Sequence, residues 1–182
     1  VFHRSERLFL RPAFPEDCHA ILAGINDKAI ACNLARAPWP YTLDDARAFA
    51  ALPQDPYLPH FLVTLPGVGV IGSAGLGEHA TEFGAEPELG YWIAREHWGQ
   101  GYATEAAASV LQIARTLGHT RLTAGHFADN PASGRVLRKL GFVPTGQVRR
   151  RFSLARGAET DSVEYVLDSE AAMDPAPVAR AA

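Results

Sequence analysis

Trp98-Gly99-Gln100-Gly101-Tyr102-Ala103-Thr104-Glu105 is the stretch that decides how this chain is read. It joins a strand-like run at 88–94 to a helix-like run at 103–117. Two glycines at such a junction let the backbone pass close to a ligand, because no Cβ stands in the way. The first turn of the helix that follows presents N–H groups with no partner inside the helix, at the positive end of its dipole. Together these features predict a site for the phosphates of a cofactor. A tight strand-to-helix turn is the plainer reading of Gly99 and Gly101.

Other phosphate motifs do not compete. A P-loop ends in Gly-Lys-Ser/Thr, and that triplet does not occur. Gly67-Val68-Gly69-Val70-Ile71-Gly72 has the spacing of a dinucleotide fingerprint, but it follows Pro66 and no helical period comes after it. Pro66-Gly67 reads instead as the tip of a hairpin joining 61–65 to 68–76.

Further out, 7–11 reads as a strand ended by Pro12, and 14–25 as a helix with Pro15 at its start. Pro38-Trp39-Pro40-Tyr41 is excluded from regular structure by its prolines. Thr42 caps a helix running to about Leu52, with Asp45 near the capping-box position. The helix 103–117 carries Ala106, Ala107, Val110, Leu111 and Ala114 in one stripe, and Gly118 stops it. A strand at 121–127 follows, then a helix opened by Asn130-Pro131 and ended by Gly141. Strands at 142–147 and 161–167 complete the pattern, and Arg149-Arg150-Arg151 reads as a solvated turn that could guide an acidic acceptor or a phosphate.

The expected fold is α/β (α+β): a central mixed, mostly antiparallel twisted sheet of about seven strands flanked by about four helices. One domain is expected over 1–167, and residues 168–182, rich in Ala and Pro without a periodic face, are expected to form a flexible C-terminal tail.

Composition narrows the class. With 182 residues, 47% apolar and 20% charged, the chain is long enough for a full core. A net charge of −3 argues against nucleic-acid binding, and no apolar run is long enough for a membrane span. The opening residues lack a signal-peptide pattern, and Cys18 and Cys32 are too few for a disulfide framework, so a cytoplasmic chain is expected. The seven histidines show no paired ligand spacing, so no metal site is expected. Monomer and homodimer both stay open.

Three motifs in order carry a resemblance. They are Glu88-Leu89-Gly90-Tyr91-Trp92-Ile93, then Trp98 to Ala106, then Asn130-Pro131-Ala132-Ser133 followed by Leu137-Arg138-Lys139-Leu140-Gly141-Phe142. With Pro38 to Ala46, they resemble the GNAT superfamily of N-acetyltransferases, in the branch that includes the ribosomal-protein-alanine N-acetyltransferases. The likeness runs from about Arg4 to Leu167. It departs at Trp98, where the superfamily often has Gln or Arg and this branch tolerates Trp. The resemblance implies a GNAT fold splayed between its fourth and fifth strands, 88–94 and 121–127, with acetyl-CoA as co-substrate. Gly90 is expected to mark a bulge at the splay.

By the same resemblance, the diphosphate would sit on the amides from Gly99 to Thr104, so that Trp98, Gly99, Gln100, Gly101, Tyr102, Ala103 and Thr104 form the coenzyme loop. The pantetheine arm would lie along Tyr91, Trp92 and Ile93, and an N–H near Trp92 or Ile93 would polarise the thioester carbonyl. Asn130 reads as a helix cap, and in the family the matching Asn also contacts the coenzyme. Ser133 reads either as a local cap or, by the resemblance, as the donor to the departing thiolate. Glu88 is the candidate general base, since an amine must lose a proton before attack; an exposed strand carboxylate is its plainer reading, and His126 is a competitor. Trp92 and Trp98 also read as packing anchors. Trp39 and Tyr41 would line the acceptor pocket.

The expected reaction is transfer of acetyl from acetyl-CoA to a primary amine, by direct attack in a ternary complex. A protein N-terminal α-amine is the acceptor the resemblance points to. The alternatives are a small-molecule amine or antibiotic as acceptor, or a non-catalytic acyl-CoA-binding sensor module.

Overall fold

Pro66 and Gly67 reverse the chain between two strands in the computed structural model, which describes residues 1–81 and 84–168. Around this hairpin, β3 (His60–Leu65) and β4 (Gly69–Thr81), eight strands form one sheet. The others are β1 (His3–Arg4), β2 (Phe9–Arg11), β5 (Gly84–Ile93), β6 (Arg121–Phe127), β7 (Val143–Ser153) and β8 (Ala158–Asp168). Their order is β1-β2-β3-β4-β5-β6-β8-β7. Every neighbouring pair is antiparallel except β5 and β6. Gly72, from the rejected fingerprint, permits this packing: a Cβ there would stand 2.2 Å from the Trp92 carbonyl oxygen.

Helices cover both faces. On one, α4 (Tyr102–Thr116) and α5 (Pro131–Lys139) bury Ala106, Ala107, Val110, Ala114 and Leu137 against Val63, Ile71, Leu89 and Ile93. On the other, α1 (Cys18–Ile25), α2 (Lys28–Ala31) and α3 (Leu43–Ala50) pack Ile21, Ile25, Ile30 and Ala46 with Leu62 and Trp92. Two apolar faces on one sheet follow from strand alternation: Leu89 and Ile93 point one way, Trp92 the other.

The structure revises the expected boundaries. Of the strand expected at 7–11, Phe9–Arg11 forms β2; β1 precedes it across a turn in which the Ser5 N–H donates to the Leu8 carbonyl. The hairpin arms β4 and β5 are longer than their alternation showed. Arg149-Arg150-Arg151 is not a turn but lies inside β7, with Arg149, Arg151 and Ser153 on the covered side. Asp168, placed in the expected tail, closes β8; the rest of that tail, residues 169–182, lies outside the described residues.

Candidate active site

β5 and β6 share a single register pair, Glu88 with Thr123, and then part. β5 stays bonded to β4 through Gly72 opposite Ile93, so beyond Glu88 the backbone has no strand pairing with β6. No bulge occurs at Gly90, which pairs with Gly75 in unbroken register, correcting the expectation. The splay comes instead from β6 leaving the pair. The wedge between the strands is a cleft of about 600 Å³, lined by 88–93 of β5, 125–127 of β6, the loop before α4 and the start of α5.

Strand alternation determines which β5 amides face this wedge. The Ala94 N–H donates to Ile71 of β4 at 2.8 Å, so the N–H groups of Ile93 and Tyr91 point away from β4. The Ile93 carbonyl points the same way and accepts from the Trp98 indole N–H at 2.6 Å. Trp98 therefore ties the glycine loop to the end of β5. The Trp92 side chain turns into the opposite core, against Gly24.

The loop itself has the geometry its glycines imply. Gly99 and Gly101 have φ of 75° and 82°, left-handed values that disfavour any side chain. Gly101 is the N-cap of α4 and offers no side chain to the first turn. Among the described residues, no protein group accepts from the backbone N–H groups of 99–104. Gly99, Gly101, Tyr102, Ala103 and Thr104 all border the cleft, with Trp98 beside them. Gln100 is exposed; its backbone carbonyl accepts from Arg7 and its side-chain Nε2 donates to the Glu96 carbonyl.

α5 brings Asn130 and Ser133 to the same wedge. Asn130 accepts from the Ser133 N–H at 3.4 Å, a long cap bond. The Ser133 hydroxyl lies 2.8 Å from the Tyr91 hydroxyl, a contact that bridges β5 and α5. Burial pushes the Tyr91 phenol up to about 12, outweighing the opposing bond to Ser133, so the phenol keeps its proton. His126 borders the cleft, but its Nδ1 donates to the Phe127 carbonyl at 2.8 Å and its Nε2 faces α5. A Cβ on Gly134 would stand 2.6 Å from that Nε2. The ring is thus packed under α5 rather than offered as a base.

On the opposite face of the splay sits Glu88. Its carboxylate accepts two bonds from Arg151, Nη1 to Oε1 at 2.6 Å and Nη2 to Oε2 at 3.0 Å. His79 stands beside them, with its Nδ1 3.3 Å from Arg151 Nη2. Gly125 makes the space: a Cβ there would lie 2.8 Å from Arg151 Nη1. Burial acts to lower the Arg151 pKa, but the bonds to Glu88 and the charges of Glu88 and Glu164 hold it above its ordinary value. Arg151 was legible only through the two-residue period that places it with Ser153 on the covered face of β7.

Trp39 and Tyr41 do not join this cleft. Tyr41 is buried in the core under α1 and α3, and Trp39 packs against the same core. The cleft is lined nearby by Asn33, Leu34 and Ala35, just after α2, instead. That short helix had no periodic signature in the sequence.

The cleft, the glycine loop and the splayed parallel pair are the architecture of an acetyl-transferring enzyme. The chain belongs to the GNAT acetyltransferase family, whose domain model matches residues 7–143. An uncharacterized N-acetyltransferase of Bacillus subtilis, YoaA, is 29% identical over 171 residues, covering 88% of this chain and 93% of that protein. A GNAT-family acetyltransferase from Bacillus anthracis superposes with a TM-score of 0.78 at 22% identity, over 92% of this chain and 98% of that one. RimL, a ribosomal L7/L12 α-N-protein acetyltransferase solved with coenzyme A, gives 0.74 at 20% identity, over 93% and 98%.

Proposed function

We propose that the protein transfers an acetyl group from acetyl-CoA to a primary amine, with a protein N-terminal α-amine as the acceptor class. The observation that carries this reading is the row of backbone N–H groups from Gly99 to Thr104 that have no acceptor among the described residues, at the mouth of a cleft that ends beside Ser133. Such a helix start suits a diphosphate, and the edge of β5 not paired with β6 suits the amides of a pantetheine arm. The RimL complex, of the same fold, supports both the ligand class and the acceptor class.

The chemistry follows from what borders the wedge. The Ile93 N–H, directed away from β4, donates to the thioester carbonyl and stabilises the oxyanion that forms. The amine nitrogen attacks the carbonyl carbon, and the amine's proton passes to Glu88, directly or through a water. Collapse breaks the C–S bond, and the Ser133 hydroxyl donates to the departing thiolate. Glu88, gripped by Arg151, presents only its remaining lone pairs to the amine, which favours the route through water. No covalent acyl-enzyme is needed.

Intact-mass analysis of peptides and small amines incubated with acetyl-CoA, alongside thiol release, tests the reading. An amine-dependent mass gain of one acetyl group is expected. Coenzyme binding without amine-dependent thiol release would make the protein a sensor, and modification confined to small amines would remove the protein N-terminus as acceptor.

A further inference from the structure

The turn between β1 and β2 stands against the first turn of α4. Arg7 Nε donates to Glu105 Oε2 at 2.7 Å, and its Nη1 to the Gln100 carbonyl at 3.0 Å. The Arg7 backbone N–H and the Ser5 hydroxyl both donate to Glu105 Oε1 at 2.7 Å. The guanidinium lies 4.5 Å over the Tyr102 ring, and its Nη2 is 3.5 Å from where a Gly101 Cβ would stand. One side chain thus touches Gln100 and Tyr102 on either side of Gly101 and the carboxylate one turn beyond.

Two physical consequences follow. A trans peptide directs its C=O and its N–H to opposite sides, so anchoring the Gln100 carbonyl on Arg7 turns the Gly101 N–H away from Arg7. Glu105 also places a negative charge in the first turn of a helix whose N-terminus must accept an anion. Arg7 neutralises that charge and occupies the carboxylate.

We propose that Arg7 is a positioning residue for the coenzyme diphosphate: it fixes the Gln100–Gly101 peptide and cancels the repulsion from Glu105. This inference rests on the reading of the glycine loop as the diphosphate site. The test compares acetyl-CoA with acetyl-pantetheine, a donor that lacks the diphosphate, in the full chain. Arg7→Ala raises KM for acetyl-CoA about tenfold, as expected for loss of charge-assisted bonds. KM for acetyl-pantetheine stays where it is.

Adding Glu105→Gln to Arg7→Ala recovers part of the loss, because the uncompensated charge is gone. Arg7→Lys keeps the charge but not the forked grip, and gives an intermediate shift with acetyl-CoA alone; it serves also if the alanine variant fails to fold. Equal changes with both donors, or none with either, overturn the role of Arg7. If the wild-type protein uses the two donors with the same KM, the diphosphate reading of the loop falls as well.

Discussion

Ser133 and Glu88 stand on opposite faces of the splay, and each depends on a partner distant in sequence. Ser133→Ala is expected to lower kcat by about 10- to 100-fold, the scale of lost proton donation, while the coenzyme Kd from calorimetry holds. Glu88→Gln should lower kcat while the coenzyme Kd holds; an unchanged kcat removes Glu88 as base. The grip of Arg151 adds a stability test. Arg151→Met leaves a largely buried carboxylate unpaired and should cost about 2–3 kcal/mol in urea unfolding. The double variant with Glu88→Gln should regain much of that loss, and simple additivity would show the pair to be uncoupled. Glu88 and Ser133 could be singled out because they lie in contiguous motifs. Arg151 and Arg7 could not: their partners lie 63 and 98 residues away, and no local pattern records such a pairing.

Among the elements, those with a strong period or cap were legible and the short ones were not. Thr42 and Asp45 form the reciprocal capping box read from their spacing, and Asn130 caps α5 as expected. α2 spans four residues, too few for a helical stripe, and only Asp27 accepting from the Ala29 N–H marks its start. β7 hid behind its three arginines because alternation, not charge, decides which of them is covered. α5 also carries a constraint that its apolar stripe does not show. Gly134 lies over His126 and Tyr165, and Gly134→Ala would bring a methyl to 2.6 Å from His126 Nε2 and 3.2 Å from the Tyr165 hydroxyl. Overpacking of this kind costs about 1–3 kcal/mol, which thermal unfolding would register. An unshifted midpoint would mean that α5 moves off the sheet without penalty.

For the molecule as a whole, the sheet with helices on both faces was readable from the order of periods, and the tight strand-to-helix junction from its glycines. The splay itself was expected from the resemblance, but its cause was not legible: Gly90 was read as a bulge, and the strands part because β6 leaves the pair. The tie between the first strands and the α1 layer gives stability an acid limit. Arg11 donates two bonds to Asp17, which also accepts from the Phe14 N–H. The bonds from Arg11, aided by that N–H and against the effect of burial, hold the Asp17 carboxyl below its ordinary value. A depressed carboxyl contributes stability above its unfolded pKa of about 3.9, and the contribution is lost as pH falls through the folded value. The urea midpoint should therefore decline below about pH 4, and Asp17→Asn should lower it at neutral pH and blunt that decline.

A sheet joined at its middle by one rung behaves as two rafts on a common hinge. Five strands float on one side of the seam and three on the other, and α4 bridges them. A donor threading the seam, as proposed, supplies the missing rungs and so acts also as a keel. Amide exchange at Tyr91 and Ile93 should slow when coenzyme A is added, and the melting point should climb with its concentration.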